Sequence, residues 1–130
     1  MGKRANLVKN LDAWFSRYIR LTHSENGLWC YCYTCGVGPR HWKTMQAGHF
    51  QSRAKYSVRW DEDNVRPQCP KCNIQNGGQQ YVFGQNLNKE RKGLADEIVQ
   101  KGHTLCKYSD NELQEKIDYY RGQVKRLLGE

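Results

Sequence analysis

The sequence predicts an α+β fold in which a small zinc-stapled core is flanked by an N-terminal helix and by C-terminal helices. Apolar residues recur at helical intervals near both ends of the chain, and the region between them has no such periodicity. Two Cys-x2-Cys pairs lie in and just after that region, among six cysteines in total. The 130 residues suit a single domain, 1–130, and neither a linker nor an internal repeat divides them.

The first predicted element is an amphipathic helix over residues 7–22. Its apolar face comes from side chains spaced four and three positions apart, namely Leu7, Leu11, Trp14, Tyr18 and Leu21, with Phe15 and Ile19 widening the stripe. The polar run that follows contains Gly27, and glycine readily adopts the positive φ found where helices end. We therefore expect the helix to end before Gly27.

Short strands and loops are predicted for residues 28–67, which are rich in Trp, Tyr, Thr and Val. Within them, Gln46–Phe50 and Asn64–Arg66 are predicted to be the two strands of a hairpin. The long loop that connects these strands carries three basic residues, Arg53, Lys55 and Arg59.

Helices are predicted over most of the remaining chain. Proline is well tolerated in the first turn of a helix, so a short helix can begin after Cys69-Pro70. The Gly77-Gly78 pair interrupts it. Two further helical stretches, at about 79–92 and 94–101, are each followed by a glycine.

The last helix has the clearest boundary signals. Ser109 and Glu112 have the spacing of a capping box, and Gly129 is the expected stop. Apolar residues from Leu113 to Leu127 form a stripe at intervals of four and three. This stripe packs on its own domain or, alternatively, forms the seam of a dimer, because two heptads are too short to establish a coiled coil.

The composition predicts a polyanionic partner. The chain has 21 Lys and Arg against 13 Asp and Glu, a net charge of +8 and a pI near 9.3, which favours nucleic acid or an anionic membrane as the partner. With 38% hydrophobic residues and a mean hydropathy of −0.93, the core is lean enough to need an additional staple.

Nothing in the sequence predicts a membrane protein. No stretch approaches the roughly 18 apolar residues of a membrane span, and the N-terminal residues do not form a signal peptide. We therefore expect a location in the reducing cytoplasm, where cysteines hold metal more often than they form disulfides.

The two Cys-x2-Cys pairs predict a structural zinc site. They are separated by 33 residues and supply the four ligands Cys32, Cys35, Cys69 and Cys72. Four thiolates complete the tetrahedral shell of Zn²⁺ and leave no open position, so the ion would be a strut rather than a catalyst. Free thiols or disulfides are the alternatives, Cys30 could replace Cys32, and Cys106 is expected to be a small buried apolar residue.

His49 is the candidate catalytic residue. By itself, a histidine between glycine and phenylalanine on a strand is usually structural. Here it belongs to a spaced set, His49-x14-Asn64-x8-Asn73, that is interleaved with the cysteine pairs. A neutral imidazole with a pKa near 6.5 can act as a base at pH 7. Asn64 and Asn73 could instead be turn or helix-cap residues.

This pattern resembles the HNH nucleases, a branch of the His-Me finger (ββα-metal) superfamily built on a zinc-stapled treble clef. The stretches CYTCG, QAGHF, RWDEDNVRPQCPKCN and GG, with the helical tail, are similar to the lambdoid phage NinG (Rap) recombination nucleases over roughly residues 28–128. The resemblance implies a zinc-bound ββα core at 28–78 and a helical tail at 79–128, which follow the N-terminal helix predicted at 7–22.

The resemblance also implies an activity. It predicts a phage-encoded, HNH-type endodeoxyribonuclease that cleaves branched recombination intermediates, namely Holliday junctions and D-loops, in the cytoplasm of the bacterial host. His49 would be the general base, Asn64 would brace the loop that positions it, and Asn73 would bind a catalytic Mg²⁺ or Mn²⁺ ion. A neutral amide oxygen in that position suits Mg²⁺.

One residue departs from the HNH pattern. HNH enzymes usually carry Asp or His immediately before the base, as a second metal ligand, and this chain has Gly48. Either a carboxylate from the run Asp61-Glu62-Asp63 completes the metal shell, with Glu62 slightly favoured, or DNA phosphates and water molecules do.

The expected partner is branched DNA. Arg53, Lys55 and Arg59 lie between the base and Asn64, so we expect them to contact phosphates rather than only to solvate the loop. Paired cuts in a two-fold junction favour a homodimer, and recombination proteins are further candidate partners. The alternative function is a non-catalytic, zinc-stabilised module that binds nucleic acid in phage recombination. A sequence-reading homing or restriction enzyme is disfavoured, because no long recognition segment accompanies the core.

Overall fold

The computed structural model, which describes residues 2–130, contains five α-helices and four short strands, as expected for an α+β fold. The helices are α1 Lys3–Thr22, α2 Tyr56–Arg59, α3 Gln80–Glu90, α4 Leu94–Gly102 and α5 Asp110–Leu127. The strands are β1 Trp29–Cys30, β2 Arg40–His41, β3 Gln46–His49 and β4 Val65–Gln68, and they pair as two antiparallel hairpins, β1–β2 and β3–β4.

The two long helices pack against each other along their apolar stripes. The cluster between them includes Leu7, Leu11, Phe15 and Ile19 of α1 with Leu113, Ile117 and Tyr120 of α5. Each fully buried side chain of this size stabilises the fold by about 1.5–3 kcal/mol. The stripe of α5 is therefore covered by its own chain, which is the first of the two alternatives, and is not available as the seam of a dimer.

The first turns of both long helices make identifiable side-chain contacts. α1 begins four residues before the predicted start, and Arg4 in its first turn forms an ion pair with Asp110 of α5, at 3.1 Å between nitrogen and oxygen. The predicted capping box of α5 is confirmed: Ser109 Oγ accepts from the Glu112 backbone N–H at 3.1 Å, and Glu112 Oε1 accepts from the Ser109 N–H at 3.0 Å. Such a cap contributes about 1 kcal/mol.

The predicted hairpin is present as β3–β4. His49 pairs with Val65, and Gln46 pairs with Gln68. β4 begins one residue later and extends two residues further than predicted. The connecting loop contains the short helix α2, which the sequence analysis missed because four residues are too few to show helical periodicity.

The segment after β4 is a single π-helical turn, Lys71–Gln75, rather than a regular helix. Gly77 and Gly78 end it with φ angles of +62° and +88°, as their sequence predicted. The predicted helices that follow are present as α3 and α4, and together with Val58 of α2 they enclose a separate apolar cluster. Among residues 2–130, no helix is both long and apolar enough to cross a membrane.

Candidate metal centre and active-site cleft

The four cysteines of the two Cys-x2-Cys pairs lie close together. The Sγ atoms of Cys32, Cys35, Cys69 and Cys72 all lie within 4.8 Å of one another. The Cys35–Cys69 Sγ distance of 3.8 Å is far longer than a disulfide bond of about 2.05 Å. A tetrahedron with Zn–S bonds of about 2.3 Å has sulfur–sulfur edges of about 3.8 Å. This cluster can therefore hold a structural zinc ion, in the ligand set that the sequence predicted.

The two remaining cysteines lie outside the cluster. Cys30 is buried, and its thiol donates to the backbone carbonyl of Arg20 at 3.2 Å, so it does not replace Cys32. Cys106 is half-buried, more exposed than predicted, in the connection between α4 and α5.

His49 stands at the end of β3 with its ring fixed by one hydrogen bond. Its Nε2 lies 2.9 Å from the backbone carbonyl oxygen of Arg59, which can only accept, so Nε2 carries the proton. In the neutral ring, the basic lone pair is then on Nδ1, which has no hydrogen-bond partner within residues 2–130. The arrangement suits a base whose reactive nitrogen is left free.

The protonation state of His49 also suits a base. Burial lowers the pKa of the imidazole below its ordinary value, because a charged ring loses solvation in the interior. The hydrogen bond to the Arg59 carbonyl opposes this shift in pKa, and the positive charge of Arg53 adds to it. The ring is therefore neutral at pH 7.

Asn64 braces the loop that holds His49. It is fully buried, and its Nδ2 donates to the carbonyl of Gln51 at 3.0 Å and to that of Val58 at 2.9 Å. Its Oδ1 accepts from the Gln51 backbone N–H at 2.7 Å. These three bonds join both ends of the β3–β4 loop next to the Arg59 carbonyl. Asn64 thus positions His49 through the loop.

His49 and Asn73 line the same cleft, which has a volume of about 480 Å³. Asn73 lies in the π-helical turn just after the last cysteine, and its Nδ2 donates to Gln46 Oε1 at 2.8 Å. This bond leaves the amide oxygen of Asn73 without a donor among residues 2–130. An amide oxygen is a hard donor of the kind that Mg²⁺ accepts.

Asp12 of α1 is a charged residue of the cleft that the sequence did not predict. Its carboxylate accepts from Arg59 Nε at 3.1 Å, from Arg59 NH2 at 2.6 Å and from Trp60 Nε1 at 2.9 Å. It thereby anchors the residue whose carbonyl orients His49. Asp12 lies on a different element from the His49 pattern, and a single acid beside an apolar stripe gives no distinctive signal.

The three basic residues of the β3–β4 loop have different surroundings. Arg53 lines the cleft, and its side chain is 62% exposed. The Arg59 side chain is only 15% exposed and is paired with Asp12, so this pair would have to open for Arg59 to make the predicted phosphate contact. Lys55 is half-buried, and its Nζ lies 3.5 Å from Gln51 Oε1. Arg53 pairs only loosely with Asp12, at 3.8 Å between NH1 and Oδ2, and is the most exposed of the three, so it is the member of this set that can best reach a ligand in the cleft.

Glu62 does not share the cleft with His49 and Asn73. Its carboxylate accepts from the hydroxyl of Tyr18 at 3.2 Å and from that of Tyr120 at 3.1 Å, in a separate depression beside α5. The expected role of Glu62 as a ligand of the catalytic metal is therefore corrected. Tyrosines of α1 and α5 bind this carboxylate outside the cleft.

The side chain of Gln68 explains the glycine at position 48. A Cβ atom on Gly48 would lie 1.8 Å from Gln68 Oε1. Gln68 is fully buried, and its Nε2 donates to Thr34 Oγ1 at 3.1 Å and to the Gly78 carbonyl at 2.8 Å. The Gln68 amide thus connects the first Cys-x2-Cys pair to Gly78, which lines the cleft. It also occupies the space that a side chain at position 48 would need.

Gly48→Ala is expected to lower the free energy of unfolding by about 1–3 kcal/mol, because the added methyl group displaces a buried amide that has no free room. Urea unfolding measures the effect. Gly122→Ala is the matched control: no atom lies near its Cβ position, and alanine favours the helix by roughly 0.5–1 kcal/mol. Equal stability of the Gly48→Ala protein and the wild type would contradict the packing described here.

Comparison with known proteins gives one family. The family model of the bacteriophage lambda NinG protein matches residues 1–130, the whole chain. The chain belongs to the NinG family. No curated protein and no solved structure gives a significant match. NinG membership implies a role related to phage recombination, and it agrees with the family that the cysteine and histidine pattern resembles.

Proposed function

We propose that this NinG protein is an HNH-type, metal-dependent DNA endonuclease of the His-Me finger class that cleaves Holliday junctions and D-loops. The observation that carries the proposal is one cleft lined by both His49 and Asn73. Within residues 2–130, Nδ1 of the neutral His49 ring has no hydrogen-bond partner, and the amide oxygen of Asn73 has no donor. The β3–β4 hairpin, the turn that follows it and the neighbouring four-cysteine cluster support the proposal of a ββα-metal core.

The proposed reaction is hydrolysis of a phosphodiester. Nδ1 of His49 takes a proton from water, and the resulting hydroxide oxygen forms a bond to phosphorus. The bond between phosphorus and the 3′ oxygen breaks, and that oxygen takes up a proton from solvent. The products are a 5′-phosphate and a 3′-hydroxyl. The Arg59 carbonyl holds the imidazole ring in the productive tautomer throughout and stabilises the imidazolium that forms.

A divalent cation fits this cleft through the free amide oxygen of Asn73. When bound, Mg²⁺ or Mn²⁺ supplies charge stabilisation at the phosphate and at the leaving oxygen. Asp12 also lines the cleft, but Arg59 and Trp60 already satisfy its carboxylate, so phosphate and water oxygens would complete the shell. Arg53 is placed to pair with a phosphate.

A homodimer is part of the proposal, since two subunits would give the paired cuts that a two-fold junction requires. The α5 stripe is packed against α1, so the dimer would use another surface.

The second candidate is a non-catalytic, zinc-stabilised nucleic-acid-binding module. The packing of Gln68 against Gly48 favours it, because this packing leaves no ligand atom at the position where HNH enzymes usually carry one. Such a module would bind branched DNA through its basic residues, as the nuclease would, but it would cut no substrate with any divalent cation.

Single-turnover cleavage assays separate the two candidates. The substrates are a four-way junction, a D-loop and a linear duplex of matched length, each with Mg²⁺, with Mn²⁺ and with chelator. The nuclease is expected to cut the branched substrates faster than the duplex and only with a divalent cation. Tight binding without cutting in any of these conditions would refute the nuclease and support the binding module.

The pH dependence of cleavage should report the lowered pKa of His49. The neutral ring persists below its ordinary pKa, so the acidic limb of kcat/KM is expected to have its midpoint below about pH 6.5. Arg53→Gln removes a neighbouring positive charge and should move that midpoint to higher pH. Arg91→Gln, the same charge change in an exposed pair with Glu97, should leave it in place. A wild-type midpoint at or above about pH 6.5 would contradict this role.

A further inference from the structure

We infer that a groove between α1 and the C-terminal end of α5 binds a short single-stranded DNA segment; the inference rests on the proposed function and adds a second contact to it. This α1–α5 groove is lined by Trp14, Arg17, Trp42, Lys43, Lys125 and Leu128 and has a volume of about 420 Å³. It lies outside the cleft that contains His49.

The floor of the α1–α5 groove is apolar. The half-buried ring of Trp14 on α1 and the side chain of Leu128, which is 44% exposed, form its accessible apolar surface. Trp42, in the turn after β2, is only 5% exposed and belongs to the buried cluster beneath them. Nucleobases stack on such surfaces whatever their sequence, because every base has a π-face.

The rim of the groove is positively charged. The guanidinium of Arg17 lies 4.6 Å from the centre of the Trp14 ring, and the ammonium of Lys43 lies 5.8 Å from that of Trp42. Neither residue forms an ion pair within residues 2–130, nor does Lys125. The acid that lines the groove is Glu130. Three cations that have no ion pair within residues 2–130 surround an apolar floor, and this arrangement matches phosphates on either side of unstacked bases.

This chemistry favours a single strand over a duplex. A duplex presents phosphates on its outside and keeps the faces of its bases stacked, so an apolar floor gains little from it. An unpaired strand offers both groups to the groove at once.

The groove and the cleft flank the same exposed face of α1. Asp12 and Ser16 line the cleft, whereas Trp14 and Arg17 line the groove. The face between them carries Lys9, which is exposed. A helix with its side chains is about 10 Å across. A strand that leaves the cleft has therefore only to cross α1 to reach the groove.

Binding of a short labelled oligothymidylate to the full chain, without divalent cation, tests the inference. The comparison ligands are an abasic strand and a duplex of the same length. The wild type is expected to bind oligothymidylate about tenfold or more tightly than the abasic strand, because stacked bases add to the phosphate contacts. Leu128→Ser should weaken binding of oligothymidylate and leave binding of the abasic strand unchanged.

Charge reversal tests the rim. Lys43→Glu with Lys125→Glu is expected to weaken binding of oligothymidylate about tenfold and to reduce the slope of log K against log salt by about 1.4, or 0.7 for each phosphate contact. Lys92→Glu with Lys107→Glu makes the same change in net charge at exposed positions outside the groove and should leave the slope unchanged.

Three results would overturn the groove. The first is equal binding of oligothymidylate and of the abasic strand by the wild type, and the second is an equal effect of the two double reversals. The third is a loss of duplex binding in the Lys43→Glu, Lys125→Glu variant as large as its loss of single-strand binding. Cleavage is tested independently. A wild type that binds oligothymidylate as described but cuts no DNA would refute the nuclease and leave the groove. A wild type that cuts branched DNA but does not prefer oligothymidylate to the abasic strand would support the nuclease and refute the groove.

Discussion

Replacing His49 with alanine is expected to lower the rate of junction cleavage by a factor of ~10²–10⁴, the usual contribution of a general base. The imidazole has no role in the apolar clusters, and its one hydrogen bond goes to a backbone carbonyl. The variant should therefore keep its fold, its zinc and its affinity for the junction. Single-turnover kinetics at saturating protein, together with a binding isotherm without divalent cation, measure the two effects separately.

His103→Ala is the matched control, because His103 is exposed at the end of α4 and lies outside the cleft. It should cut at the wild-type rate. If His49→Ala lost junction binding and cleavage in the same proportion, His49 would be a structural residue.

Cys69→Ser is expected to unfold the chain or to destabilise it severely. A four-thiolate zinc site contributes on the order of 10 kcal/mol to folding, which is comparable to the whole stability of a domain of this size. Cys32, Cys69 and Cys72 also belong to an apolar cluster with Leu21, Trp42 and Met45, so loss of the site would expose that side of the core. Zinc content, circular dichroism and thermal unfolding measure the effect, and a strong chelator should reproduce it in the wild type.

Cys106→Ser provides the control for the loss of a thiol, because Cys106 lies outside the four-cysteine cluster. It should retain one zinc per chain and nearly the wild-type stability. A Cys69→Ser protein that stayed folded and equally stable without metal would show that the four-cysteine cluster is not a structural metal site.

The parts of the fold that sequence predicted are those with strong local signals. Ser109 and Glu112 specify their capping box within four residues, and the apolar stripe of α1 specifies which face is buried. The glycines at 77 and 78 end the turn after the last cysteine because they adopt positive φ at little cost. The four cysteines could be grouped because tetrahedral coordination restricts which spacings close a site.

The parts of the candidate site that sequence missed depend on contacts between distant elements. Asp12 reaches the cleft only because α1 packs beside the β3–β4 hairpin, and nothing in its neighbours along the chain indicates this contact. Glu62 was misplaced for the same reason: two tyrosines, one from each long helix, hold its carboxylate away from His49. Gly48 suggested a missing ligand, whereas the structure reveals a buried amide in its place.

Chemical rescue of a His49→Gly protein by added imidazole tests the role of this histidine most directly. The glycine variant leaves a space of the size of the lost ring, so free imidazole can supply the base that the side chain no longer provides. Cleavage of a four-way junction with Mg²⁺ is predicted to rise with imidazole concentration and to follow its neutral form as pH is varied. A folded His49→Gly protein that binds the junction but cuts no faster at any imidazole concentration would contradict the assignment of His49 as the general base.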